Sequence, residues 1–349
     1  MLNQRLIGTI LGGILLSSPI SALATPQTLS STQMIAQAKS NNPYRPIEDQ
    51  FKLLGQELDQ NWQEWYWVYR MVELIARANG LDERPWRIGI MPDYDVNAYA
   101  TEINLVVAFR GILDQLHGDD AALACIIGHE MAHNQLRHQA QRVHINETLK
   151  AQFNQEAQAE IDKLVAEERR KYEEWQQSQR AGQFFGVIVR RLTGFTFTPF
   201  FLGNNGQLDR QKIEQKKREI ISEKENAYLA SLNASIRTQE FEADKQGYLY
   251  MATAGYDPQG CIRAMDVLNR TLSADIQGEQ RTHPNPSARI DTLKQLMQKY
   301  PSTSLAAQGT QNLRTRPNPL TVDLAIKPHT HSESVVIPTV RINSKFASR

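Results

Sequence analysis

The 349-residue sequence predicts an α+β fold that is mainly helical. Three observations carry that expectation. Apolar residues recur at three- and four-residue steps over much of the chain, only a few short runs have strand character, and two long charged stretches carry the periodicity of paired helices.

At the start, Arg5 and the amino terminus precede an apolar stretch from Leu6 to about Ile20, and Ala22-Leu23-Ala24 follows with small residues. That order predicts a cleavable signal peptide over 1–24, and with it an exported chain in a periplasm or equivalent extracytoplasmic compartment, possible membrane association included. The apolar run is short for a bilayer span. Residues 25–45 are rich in Ser, Thr, Gln and Pro and are expected to be flexible. From Ile47 to about Asn79, Leu54, Leu58, Trp62, Trp65, Tyr69 and Val72 mark one face of an amphipathic helix, which Gly80 would cap. Arg87 to Ile90 and Ile103 to Phe109 read as strands of a small sheet.

The run Ala121 to Ile127 is apolar and helix-favouring and leads into Gly128-His129-Glu130-Met131-Ala132-His133. The four-residue step from His129 to His133 puts both imidazoles on one helix face, where they can grip one ion at about 2 Å. Glu130 points to a neighbouring sector, from which a carboxylate can act as general base on metal-activated water without being a ligand. About a hundred residues on comes Glu240-Phe241-Glu242-Ala243-Asp244. Glu240 and Asp244 share a helix face, so Glu240 can be the third ligand while Asp244 accepts the second ring N–H of a ligating histidine. Glu242 faces elsewhere and reads as the weaker ligand or as a salt-bridged surface acid. Zinc is the expected ion, although His and carboxylate donors accept other divalent metals.

The two charged stretches, about Gln139 to Arg180 and Leu208 to Ser235, carry Leu149, Phe153, Ile161, Leu164 and Val165 on one side and Ile213, Ile220 and Tyr228 on the other. They suit an antiparallel helical hairpin over 139–235. Its tip, 183–202, is apolar and aromatic but interrupted by Arg190, Arg191, Gly194 and Pro199, which argues against a transmembrane helix. The tip suits a membrane surface, a substrate gate, a protein partner, or a cover folded over the cleft. After Tyr300 the tail, 301–349, shows little helical periodicity. Only Leu320 to Ile326 and Val335 to Val340 look strand-like, so the tail is expected to be flexible or to add a peripheral hairpin.

Basic and acidic residues number 39 and 38, and that near-neutral balance removes any electrostatic argument for nucleic acid as a partner. Two cysteines make no disulfide framework. Cys125 lies one turn before His129 and Cys261 opens a later helix; both read as buried small hydrophobes, with their pairing open. His117, His138, His144, His329 and His331 read as solvated side chains.

The paired motifs resemble those of the HtpX-like, BepA-like and prenyl-protease-like zinc metallopeptidases, a gluzincin group. Asn97-Ala98-Tyr99-Ala100 and the following strand resemble that group's edge-strand region, and Thr282-His283-Pro284-Asn285-Pro286 with Arg289 its His-Pro segment. The likeness spans roughly 45–135 and 235–298. It implies a gluzincin-type domain over 46–300, with one Zn2+ held by His129, His133 and Glu240, Glu130 as base, and a substrate edge strand at Asn97, Ala98 and Tyr99. His283 would return to the cleft to steady an oxyanion or fill a metal position; its plainer reading is a loop residue ahead of an Asn285 cap and Pro286. Arg289 would pair with a site carboxylate or hold a substrate carbonyl, or simply form a surface ion pair. The implied activity is peptide-bond hydrolysis in unfolded, misfolded or membrane-associated proteins, as in envelope protein quality control. A chaperone-like binding factor with a latent or structural metal is the competing expectation.

Overall fold

The computed structural model describes residues 42–53, 61–193, 210–271, 286–325 and 339–346, together with Gly55 and Leu58. The expected signal peptide, nearly all of the 25–45 segment, part of the hairpin tip and His283 lie outside the described residues.

The amphipathic run from Ile47 to Asn79 forms two helices rather than one. Helix α1 covers Arg45–Leu53 and buries Ile47 and Phe51; α2 covers Trp62–Asn79. Gly55 penalises a continuous helix, and Asn61 takes a non-helical φ of −94° with ψ of 40° before α2 begins. Gly80 ends α2 at φ 70°, and its N–H bonds the Ala76 carbonyl. That left-handed cap suits glycine, which has no Cβ to clash.

Strands β1 (Trp86–Met91), β2 (Ala98–Thr101) and β3 (Leu105–Phe109) follow. Asn104, at φ 57°, turns β2 into β3. The sheet has the order β2-β3-β1-β5-β4, where β4 is Val322–Ala325 and β5 is Thr339–Ile342. β1 runs parallel to β3, and β2 pairs antiparallel with β3 at the sheet's edge.

The C-terminal segment carries the expected strand pair, β4 within Leu320 to Ile326 and β5 overlapping the end of Val335 to Val340, paired antiparallel, but departs from the expected tail in two respects. β5 pairs antiparallel with β1, Trp86 opposite Ile342, so it sits inside the sheet with Val340 and Ile342 buried. A helix, α9 (Ser302–Arg314), precedes it. Shortly after α9 the chain is pinned at Leu320 by a buried carboxylate: Glu73 accepts from the Leu320 N–H at 3.1 Å, from Arg77 at 2.5 Å and from the Tyr44 hydroxyl at 2.8 Å. Polar Ser, Thr and Gln conceal a helix whose partners lie far away in sequence.

After α3 (Arg110–Gln115), Asp119 caps α4 (Asp120–Gln135), accepting the Ala122 N–H at 3.0 Å. Arg263 grips the same carboxylate at 2.6 and 2.9 Å, which holds its pKa below the usual range with help from the cap. α4 is buried from Ala122 through Asn134. The long helices α5 (His138–Thr193) and α6 (Arg210–Thr253) pair antiparallel: Tyr228 bonds Asn146, the Phe153 and Tyr228 rings lie 6.1 Å apart, and Lys224 reaches Glu160 at 3.3 Å. α5 runs on through residues 183–193, so half of the expected tip is helix and Arg190 and Arg191 do not interrupt it. Among the described residues, no helix is long and apolar enough to cross a membrane. Helices α7 (Gln259–Thr271) and α8 (Pro286–Lys299) complete the set.

The cysteines are not free thiols. Cys125 of α4 and Cys261 of α7 form a disulfide across 136 positions, with Cα atoms 5.2 Å apart. Both are buried, as expected, but sequence spacing alone carries no information on a contact between two packed helices.

Candidate active site

Backbone contact between α4 and α6 sets the site's dimensions. A Cβ on Gly247 would stand 2.6 Å from the His129 nitrogen, and one on Gly128 would stand 2.9 Å from the Gly247 carbonyl oxygen. Only paired glycines permit that approach. Glu240 lies two helical turns before Gly247, so the close crossing carries its carboxylate to the face of α4 that bears the histidines.

There the donors converge. His129 Nε2 and His133 Nε2 are 3.0 Å apart, and the two Glu240 oxygens lie 3.3 Å from one ring nitrogen each. Ligands about 2 Å from a tetrahedral ion stand roughly 3.3 Å from one another, so these edges fit a metal of zinc's size. All three residues are buried or nearly so. The His, His, Glu set is therefore capable of coordinating a metal ion.

Charged groups surround the donors. Asp244 Oδ1 lies 3.0 Å from His129 Nδ1, an arrangement that puts the ring proton on Nδ1 and leaves Nε2 for a metal. Arg289 is not a surface residue: it is buried, donates to Asp244 through Nε at 2.7 Å and Nη2 at 2.6 Å, and approaches Glu240 at 3.7 Å. Burial alone would raise the Asp244 pKa, but the Arg289 charge and hydrogen bonds outweigh it and hold it at about 2. Burial and Arg289 push His129 down, yet bonds to Asp244 and Glu240 prevail and the metal-free ring is raised to about 9. Arg142 of α5 donates to Glu240 at 2.9 Å and to Gln239 at 2.7 Å.

Glu130 is buried and lines a cleft of about 810 Å³, together with His133, Tyr99, Ala100 and Thr101. β2 is an edge strand on this cleft, and Asn134 of α4 bonds the Thr101 carbonyl. Of the expected edge residues, Ala98 and Tyr99 lie in β2; Asn97 immediately precedes it and caps the Ala98 N–H with its side chain at 2.9 Å.

One histidine is placed differently from the sequence reading. His138 is 1 % exposed, with Nδ1 2.9 Å from His133 Nδ1 and Nε2 3.3 Å from Glu242. Burial lowers its pKa, although Glu242 pulls the other way. Its polar context, His-Gln-Ala-Gln-Arg, gave no sign of this. His117 and His144 are exposed.

A buried helix carrying His-Glu-x-x-His, closed by a carboxylate from a second helix and bordered by an edge strand, is a candidate metallopeptidase active site. The chain belongs to peptidase family M48, whose model matches residues 63–297. It is also similar to the mitochondrial metalloendopeptidase OMA1 of Schizosaccharomyces pombe, 31% identical over 77 residues, which cover 22% of this chain and 23% of that protein. The match thus spans less than a quarter of that relative's length. No solved structure matches the chain.

Proposed function

We propose that this chain is a zinc-dependent endopeptidase, exported from the cytoplasm, that cleaves unfolded or membrane-associated proteins, in the manner of the HtpX-like and BepA-like peptidases it resembles. The observation that carries the peptidase reading is the triangle of His129, His133 and Glu240 donors beside the buried Glu130.

His129, His133 and Glu240 would hold the ion, which supplies Lewis-acid polarisation of the scissile carbonyl and acidification of water when bound. Glu130 takes the proton of the attacking water and returns it to the leaving amine. Asp244 keeps the His129 proton on Nδ1, and Arg289 keeps Asp244 ionised. β2 is the sheet's edge strand among the described residues, where an extended segment can add as a strand and bring a peptide carbonyl to the site, a geometry that selects unfolded chains or loops over folded surfaces. His283, three residues before α8 in the sequence, is proposed to steady the oxyanion. Export is supported by the Cys125–Cys261 disulfide, because such bonds persist in oxidising compartments.

The test is cleavage of an unfolded protein by the purified chain and by Glu130→Gln at equal zinc content. The variant is expected to lose on the order of 10²- to 10⁴-fold in turnover. Equal cleavage by both would exclude Glu130 as the base. Absence of cleavage by either, with zinc bound and in vivo function intact, would favour the binding-factor reading.

A further inference from the structure

His138 is brought to the site by an unusual turn. In an unbroken helix a residue five positions after His133 would point roughly 140° away from it. Instead α4 stops at Gln135, the Leu136 N–H returns to the Ala132 carbonyl at 2.9 Å, and Arg137 adopts φ 55° before α5 starts at His138. A non-glycine residue in the left-handed region is strained, and such positions concentrate at functional sites. The turn sets the His138 ring against that of His133, with centroids 4.9 Å apart and planes at 76°.

The tautomers then follow from geometry. His133 Nε2 faces the shared donor centre, so it carries the lone pair and Nδ1 carries the proton. His138 Nδ1, at 2.9 Å, stands where that proton needs an acceptor. An acceptor at Nδ1 leaves the His138 proton on Nε2, a buried atom that makes no hydrogen bond among the described residues but lies 3.3 Å from the half-exposed Glu242 carboxylate, within reach of its charge. We propose that His138 is a positioning residue for the metal centre: its Nδ1 accepts the His133 Nδ1–H and fixes that ligand's tautomer and tilt, while the nearby Glu242 charge favours the proton of His138 on Nε2. The inference rests on the metal reading of the site. It gives each histidine ligand its own support, the Asp244 carboxylate for His129 and a neutral imidazole for His133. It also gives Glu242 a role besides surface charge.

The experiment measures zinc affinity of the full chain by chelator competition, with the cobalt(II) absorption spectrum as a second readout, for His138→Leu and His138→Asn. Leucine fills the space without an acceptor, whereas the asparagine Oδ1 replaces Nδ1. His138→Leu is expected to lose roughly 10- to 100-fold in zinc affinity and to change the cobalt ligand-field bands, with His138→Asn recovering most of both. Leucine affinity equal to the wild type, or an asparagine loss as large as the leucine loss, overturns the proposal. Should the variants not fold, long-range proton–nitrogen NMR of the zinc-loaded wild type decides. A bare Nδ1 and protonated Nε2 on His138 support it, and the opposite tautomer overturns it. None of these readouts uses peptide cleavage. A chain that cuts nothing but loses zinc in His138→Leu overturns the peptidase reading alone, and a chain that takes up no zinc overturns both.

Discussion

The two ends of the α5–α6 pair are built on different physics. Near α4, the helices contribute His138, Gln239, Glu240 and Asp244, all buried and all with polar neighbours, and Gly247 touches the backbone of the metal helix. Farther out, the same helices are joined or decorated by exposed pairs such as Lys171 with Glu168, Lys217 with Glu214, and Lys224 with Glu160. Buried groups stripped of their partners are costly, whereas exposed pairs contribute little. Precision is therefore concentrated at the base, and the arm can change in sequence without disturbing the metal site.

The largest effect that would break this contrast is removal of the disulfide. Cys125→Ser combined with Cys261→Ser should cost about 2–5 kcal/mol in denaturant unfolding, because the bridge closes a long loop through the base. An unchanged midpoint would show that α4 and α7 do not depend on the bridge. Next comes Gly247→Ala, which forces a methyl against the His129 backbone; about 1–3 kcal/mol and a fall in zinc affinity should follow. A neutral result would remove the close crossing as the origin of the Glu240 position.

Asp244→Asn sharpens the comparison at the level of the metal. Roughly a 10- to 100-fold loss of zinc affinity is expected by chelator competition, since the acceptor behind His129 is weakened. The wild type adds a pH signature. His129 is raised from 6.5 to about 9 in the metal-free chain, so its contribution to stability is complete below 6.5 and is lost as pH rises through 9. Zinc must displace that proton below about pH 9, and affinity should climb by up to tenfold per pH unit until it levels off there. A flat profile between pH 6 and 9 would contradict this. The smallest effect belongs to the arm: Lys224→Ala should leave both the unfolding midpoint and zinc affinity unchanged, and a clear shift in either would show that the arm reports to the base.

What the sequence disclosed follows the same division between local and distant causes. The His129 and His133 pair, the shared face of Glu240 and Asp244, the Gly80 cap and strands β1 and β3 are set by spacing within a few residues, and periodicity exposes such features. The break between α1 and α2 had a local sign in Gly55. The disulfide, strand β5 beside β1 and helix α9 depend on partners brought together by the fold, and for α9 the polar composition after Tyr300 added to the concealment. His138 was hidden for another reason. Arginine rarely adopts the left-handed conformation, so nothing at Arg137 announced the turn that carries the next residue inside.

The most direct test of the central claim, that α4 and the base of α6 together form one metal centre, is zinc titration of the purified chain alongside His133→Ala and Glu240→Ala. The account predicts one zinc per wild-type chain and a large loss of affinity in either folded variant. Tight zinc binding that survives both substitutions would place the metal elsewhere and contradict it.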